Sequence, residues 1–240
     1  MFAGPNGSGK TSLFDYLRSN SFIHTELYIN ADRYEREIKL NLRFNFNAYR
    51  VKVSQKDFIE HVRSSSLFHE KIKDKNFLEK INIKAGVLKF DLLKEEVNSY
   101  HASFIASFLV EKLLETGQSF CFETVMSHES KVNLLEVAKS KGYKTYLYFV
   151  YTDNPELNIT RVGLRALMGL HDVKPDVIRS RYDRSFALLP KAIKIANEAY
   201  IVNNSESFTI TVEKRNNSIL IGESAPGHLR KLISTSNSYP

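Results

Sequence analysis

Residues 4 to 11 read Gly4-Pro5-Asn6-Gly7-Ser8-Gly9-Lys10-Thr11 and fill every fixed position of the pattern G-x-x-x-x-G-K-[ST]. The glycines let a backbone curl until successive N–H groups point at one polyphosphate. The lysine reaches the β and γ oxygens, and the hydroxyl beside it ligates Mg²⁺. A helix beginning near Gly9 turns its positive dipole end on the same anion. Three other groups have the chemistry to act on what this loop holds. Asp32 follows the short strand expected over Glu26-Leu27-Tyr28-Ile29-Asn30, and Glu123-Thr124 follows Ser119-Phe120-Cys121-Phe122. Arg161, Arg165, Arg179, Arg181 and Arg184 crowd a stretch that holds a single lysine, Lys174.

Each group has a physical reading and a plainer competitor. A carboxylate just beyond a strand of an open α/β sheet stands at the carboxyl edge, where ligands bind. Asp32 is therefore a candidate general base, while an N-cap for the helix opening at Tyr34-Glu35-Arg36 suits it equally. Glu123 reads as a metal- or substrate-facing acid, with Thr124 able to bond a substrate oxygen; a structural pair with an arginine is the alternative. Arginine offers a planar fork that holds phosphate oxygens bidentately, so the segment 161–185 reads as a helical lid over a nucleotide, turned at Gly169-Leu170-His171-Asp172-Val173-Lys174-Pro175. A solvated helix pair is the competing reading.

These residues need a scaffold, and the chain supplies one in order. Leu13, Phe14 and Leu17 give a helix over 10–19, and Met1-Phe2-Ala3 is an abbreviated first strand or the end of one that starts upstream. Residues 41–98 form an insertion, β-prone from Phe44 to Val53 and then helical through Lys89, that could cover a substrate. Tyr100 to Leu114 is a long amphipathic helix closed by Gly117. Ser119–Phe122 and Lys144–Tyr151 are buried parallel strands around a helix over 128–141; a further helix spans 187–198, and 199–202 is the last parallel strand. Phe208–Val212 and Ser218–Ile221 make a hairpin through Arg215-Asn216-Asn217. The fold class is α/β: a single P-loop three-layer sandwich over 1–240, its sheet mostly parallel, with a helical insertion, an arginine-rich lid and a C-terminal β-hairpin.

Composition narrows the class. With 240 residues, 42% hydrophobic and 25% charged, the chain is of ordinary globular make-up. One cysteine, Cys121, excludes a disulfide framework and fits a reducing, cytoplasmic setting. No apolar run approaches a membrane span, and the loop lies too near Met1 for a signal peptide. The net charge of +7 is unevenly spread: 11 basic against 5 acidic residues over 41–90, 2 against 7 over 91–130, and 12 against 7 over 131–200. The Lys-rich stretch reads as a solvated face, so nucleic acid is an improbable partner. His61, His69 and His101 have no partner at metal-ligand spacing. A guanine-specifying Asn-Lys-x-Asp is missing, as is a strand ending in paired acids, which disfavours a GTPase switch and an AAA-type motor.

Together the residues describe a small-molecule or nucleoside kinase: Mg²⁺·ATP on Lys10 and Thr11, an acceptor hydroxyl activated by Asp32, and arginines around the moving phosphoryl group. In order and spacing the runs Ala3 to Thr11, Ile29-Asn30-Ala31-Asp32, Phe122-Glu123-Thr124, Arg161-Val162 to Arg165, His171-Asp172-Val173 and Arg181-Tyr182-Asp183-Arg184-Ser185 resemble the zeta toxin family, over roughly 2–40 and 99–205. The likeness is to its zeta-toxin-like ATPase branch more than to the founding plasmid toxins. The resemblance implies ATP-dependent phosphorylation of the sugar 3′-hydroxyl of UDP-N-acetylglucosamine and a small antitoxin that blocks the ATP site. It implies that Gly4 to Thr11, with Arg161 and Arg179, bind ATP, that Thr11 holds Mg²⁺, that Asp32 is the base, and that Glu123 and Thr124 hold the sugar. Arg165 and one of Arg179, Arg181 and Arg184, preferably Arg181, clamp the transferring phosphate. The family's frequent Asp-Asn-Ser is here Asn203-Asn204-Ser205. The competing class is a nucleotide-dependent ATPase or binding module, acting on nucleic acid through the basic 41–90 stretch.

Overall fold

A computed structural model describes residues 1–74, 76–169 and 172–236. Leu170 and His171 of the expected lid turn, and the end of the polar tail, lie outside the described residues. The elements in chain order are β1 (Phe2–Ala3), α1 (Lys10–Ser19), β2 (Tyr28–Ile29), α2 (Ala31–Asn41), β3 (Arg43–Asn45), α3 (Gln55–Ser64), α4 (Ser66–Lys71), β4 (Ile81–Lys84), β5 (Val87–Phe90) and α5 (Ser99–Thr116). They continue with β6 (Cys121–Thr124), α6 (Glu129–Ser140), β7 (Tyr146–Tyr151), α7 (Pro155–Leu167), α8 (Pro175–Ile195), β8 (Glu198–Asn203), β9 (Thr209–Arg215), β10 (Ser218–Ile221) and α9 (Gly227–Ser236). The chain forms two compact units, one of residues 1–24 with 123–240 and one of residues 25–122.

In the first unit the sheet runs β10-β9-β8-β7-β1-β6. The short β1 is central and parallel to both neighbours: Phe2 stands opposite Glu123 and Tyr148, and Ala3 opposite Thr124 and Phe149. β8 is parallel to β7, whereas β9 and β10 return antiparallel. The β9–β10 turn has Asn216 and Asn217 both left-handed, at φ 48° and 63°, as a two-residue hairpin requires. One sheet face buries Leu147, Phe149, Tyr151 and Ile201 against Val132 and Leu135 of α6, Phe186, Leu189 and Ile193 of α8, and Leu229 and Ile233 of α9. On the other, Phe2 meets Phe14 of α1 edge-on at 5.4 Å and stacks on Tyr148 at 5.0 Å, which stacks on Tyr200 at 5.2 Å.

The lid arginines belong to elements rooted in this core. The sequence separates a lid from a helix over 187–198, but α8 is continuous through Pro190. Ile178, Tyr182, Ser185, Phe186, Leu189, Ala192 and Ile193 form one buried stripe on both sides of the proline. Burial along a whole face outweighs the backbone hydrogen bond that proline removes. At the far end of α8, Lys214 from β9 donates to the carbonyls of Ile193, Lys194 and Ala196 at 2.8, 3.0 and 2.6 Å, taking up acceptors that the helix end leaves over. Burial pushes the Lys214 ammonium below its ordinary pKa. Lys214→Met keeps the aliphatic stem and removes the donors. It is expected to destabilise the protein by about 2–3 kcal/mol, read as a lower urea midpoint; an unchanged midpoint would show that the cap contributes nothing.

The second unit departs most from expectation. Residues 81–90 carry a hairpin, not helix: β4 and β5 pair antiparallel with Lys84 opposite Val87, and β3 pairs with β5 from its other side. Ala85 and Gly86, at φ 51° and 75°, make its two-residue turn. Ala-Gly is a weaker turn signal than Asn-Gly, and the alternation that buries Ile81, Leu88 and Phe90 is masked by flanking lysines. Phe46, Phe58 and Phe108 meet edge to face at 5.1 to 5.8 Å, so an aromatic cluster holds α3 and α5 to this small sheet. β2 pairs in parallel with the first two residues of β6, Tyr28 opposite Cys121 and Ile29 opposite Phe122.

His101 closes the N-terminus of α5. Its Nδ1 accepts the Asn98 N–H at 3.2 Å, the Asn98 side chain accepts that of Tyr100 at 3.0 Å, and the ring stacks on Phe77 at 4.7 Å. Burial lowers its pKa to about 4 from 6.5, against the opposing pull of Glu35 and Glu96. The folded chain thus holds His101 neutral where the unfolded chain takes up a proton. Stability is full above pH 6.5 and falls towards pH 4, by up to about 3 kcal/mol in all. His101→Gln keeps an acceptor for the cap without the titration. Its urea midpoint is expected to lose less between pH 7 and 4.5 than the wild type does, and parallel pH profiles would contradict this.

Candidate active site

β1 stops at Gly4 because the backbone must there pass directly over β7. Gly4 has φ 133°, and a Cβ on it would lie 2.0 Å from the Val150 carbonyl oxygen. The chain then curls through Pro5-Asn6-Gly7-Ser8 to Gly9, the left-handed N-cap of α1 at φ 95°. With the Gly9 carbonyl engaged by the Leu13 N–H at 2.9 Å, Lys10 and Thr11 occupy the first turn of the helix. Lys10 folds back across the loop and its Nζ donates to the Pro5 carbonyl at 2.8 Å. The ammonium is 7% exposed and stands 4.0 Å from Glu123 Oε1.

The register of β6 on β1 brings that carboxylate here. Glu123 pairs with Phe2, two residues before the loop, and the Thr11 hydroxyl donates to its Oε2 at 2.8 Å. Sequence reading placed Glu123-Thr124 just beyond the strand; both are its last residues. The Thr124 hydroxyl accepts the Met126 N–H at 3.1 Å and so shapes the turn leaving β6. Lysine, threonine and glutamate from two distant points in the sequence thus converge in the first unit. The loop also suits a polyphosphate on its own evidence: Ser8 is fully buried, and its hydroxyl oxygen has no hydrogen-bond partner among the described residues, which is costly unless an anion accepts from it. Thr11, with Glu123 behind it, supplies the hard oxygens that Mg²⁺ prefers.

The arginines divide. Arg181 Nη1 donates to the Asn6 side-chain oxygen at 3.2 Å, which puts it, of the three alternatives, on the phosphate loop. Arg179 directs its fork to Glu156 at 2.9 and 3.1 Å and to Asp176 at 3.1 Å; the Glu156 bonds raise its pKa. Arg161 holds the carbonyls of Asn204 and Ser205 at 2.8 and 3.0 Å. Arg165 lies on α7 and Arg184 on α8, both exposed. In the second unit, Asp32 lies in the first turn of α2 without being its cap: the cap is Asn30, whose side chain accepts the Arg33 N–H at 3.1 Å.

Two bracing residues escaped the sequence reading. Asn158, fully buried on α7, donates to the Asn6 carbonyl and receives the Thr152 hydroxyl. Asn204 donates to the Ser8 carbonyl at 2.8 Å. Only Asn204 had a signal, its place just after the last parallel strand. Asn203 beside it reaches Asp153 Oδ1 at 2.7 Å, so an acid is present beside this turn although the chain lacks Asp at 203.

A glycine loop leaving the central strand of a mostly parallel sheet, with its lysine and threonine beside an acid on the neighbouring strand, defines a P-loop nucleotide-binding fold of the kinase kind. The zeta toxin family model matches residues 91–223, more than half of the sequence, and the chain belongs to that family. The matched region holds Glu123 and every lid arginine and begins after the phosphate loop. Among curated proteins none matches. Among solved structures, a chain of the AvrRxo1-ORF1:AvrRxo1-ORF2 complex with sulphate ions is similar at 13% identity and TM-score 0.59, covering 99% of this chain and 64% of that one; the same complex with ATP gives the same values. The PezAT chromosomal toxin–antitoxin system of Streptococcus pneumoniae follows at 15% identity and TM-score 0.51, covering 98% and 84%. At such identities the likeness is one of fold, and this chain spans 64% of the length of the AvrRxo1 chain it matches. Among the described residues no helix is long and apolar enough to cross a membrane.

Proposed function

We propose that the protein is a zeta-toxin-type phosphotransferase that moves the γ-phosphoryl group of Mg²⁺·ATP to a hydroxyl of a small-molecule acceptor, a UDP-sugar such as UDP-N-acetylglucosamine. The observation that carries the reading is the convergence of Lys10, Thr11 and Glu123 at the carboxyl edge of the central strands. Lys10 leaves the Pro5 carbonyl for the phosphate oxygens. Thr11 holds the metal, and its bond to Glu123 supports a metal-facing role for that acid. A Mg²⁺ held there would supply neutralisation of phosphate charge. Arg181, with Arg165, steadies the charge that develops on the transferring group, while Arg161 fixes the turn at Asn204 and Ser205 and Arg179 ties α7 to α8. Asp32 takes the proton of the acceptor hydroxyl, and Thr124 contributes to holding the acceptor.

Family membership and the bound ATP of an AvrRxo1 complex support the nucleotide. The pairing of AvrRxo1-ORF1 with ORF2, and the toxin–antitoxin character of PezAT, support a small protein antagonist as partner; a cytoplasmic setting fits the single cysteine. The test is a screen of small-metabolite pools incubated with protein, ATP and Mg²⁺. One species gaining the mass of a phosphoryl group is the expected result. ATP consumed with no such gain would leave an ATPase in place of a kinase.

A further inference from the structure

Beside the phosphate loop the first unit leaves two aromatic rings in solvent. Tyr16, on α1, is 53% exposed, and Phe208, between β8 and β9, is 36% exposed. Their centroids are 6.2 Å apart and their planes tilt by 43°, so the pair forms an open wedge instead of a closed stack. The wedge is tied to the loop. A Cβ built on Gly9 would lie 3.8 Å from Phe208 Cε1 and 2.2 Å from the Asn204 amide nitrogen, which is itself bonded to the Ser8 carbonyl. Arg161 fastens the carbonyls of Asn204 and Ser205 from behind. The segment carrying Phe208 is thereby fixed against the last turn of the phosphate cradle.

Resting on the nucleotide reading above, we infer that Tyr16 and Phe208 are the platform for the nucleobase, and that they hold it by its faces. A nucleotide gripped by its phosphates must place its base within a ribose's reach of the loop. An exposed ring beside the loop's closing glycine offers the apolar, polarisable surface on which a flat heterocycle stacks. Two polar side chains of the segment that carries Phe208 and its tether are already engaged. The Asn204 amide nitrogen is engaged by Ser8, and Arg161 Nη1 and Nη2 by backbone carbonyls. Stacking is therefore the principal contact, and it favours a purine, the larger ring system.

Calorimetric titration of the whole chain with Mg²⁺ and either a non-hydrolysable ATP analogue or inorganic tripolyphosphate separates base from phosphate. Phe208→Ala and Tyr16→Ala are each expected to weaken the analogue about tenfold and to leave tripolyphosphate within about twofold, the scale of one base–aromatic stack. Phe208→Trp should restore the analogue. Unchanged affinity for the analogue would overturn the platform; so would equal weakening of both ligands, which marks a deformed loop. A wild-type protein that bound neither ligand would instead sink the nucleotide reading itself.

Discussion

Lys10→Met is expected to lower ATP turnover on the order of 10³-fold, with the far-ultraviolet spectrum of the protein retained. The ammonium is buried between the Pro5 carbonyl and Glu123, in a place where water screens little. A cation preorganised in such a site and aimed at developing phosphate charge is worth far more than one on the surface. Methionine fills the same volume without the charge, so the loss reports chemistry more than packing. Lys10→Arg is expected to rescue little, because a planar fork does not fit a socket built around one point charge. Loss of less than about tenfold in Lys10→Met would remove the lysine from the transition state.

The second large effect belongs to Asp32. Asp32→Asn is expected to cut phosphoryl transfer about 10²- to 10⁴-fold while ATP binding stays within a few-fold, the pattern of a lost general base. The structure makes this substitution interpretable. The cap of α2 is Asn30, so the change leaves helix initiation alone. Removing one acidic side chain from a first turn costs about 0.3–1 kcal/mol of dipole interaction. A melting temperature that collapses together with activity would therefore point to structure, whereas a fully active Asp32→Asn would exclude proton abstraction by this residue.

The chemistry-bearing residues were more legible than the scaffold around them, and the reason is physical. A loop that must wrap a phosphate tolerates few sequences, so Gly4 to Thr11 announced both the turn and the helix that follows. The strands near Asp32 and Glu123 were legible from the apolar residues Tyr28-Ile29 and Cys121-Phe122 that they bury. Residues 81–90 were not. A half-exposed hairpin with Lys80, Lys84 and Lys89 on its wet side has too little alternation to compete with a helical pattern. The extent of α8 was hidden by Pro190, whose local preference tertiary packing overrides. Sequence leaves Arg179, Arg181 and Arg184 as alternatives for the phosphate, and the ion pair that Arg179 makes with Glu156, on a helix 23 residues upstream, has no local signature. That Arg181 is the arginine on Asn6 depends on how α8 rolls against the sheet, which no local pattern encodes.

Glu123 illustrates how the fold adds meaning to a motif. From sequence it was an acid in sight of metal or substrate; register with Phe2 puts it against Lys10 and Thr11. A carboxylate there holds the threonine hydroxyl and balances the lysine before any nucleotide arrives, which keeps a buried cation tolerable.

The most direct measurement follows the label itself. Protein, Mg²⁺, ATP labelled in the γ position and UDP-N-acetylglucosamine are incubated together, and the products are separated. Label on the sugar nucleotide, lost in both Lys10→Met and Asp32→Asn, is the predicted result. Label found only in inorganic phosphate, or transfer that survives both substitutions, would contradict the account.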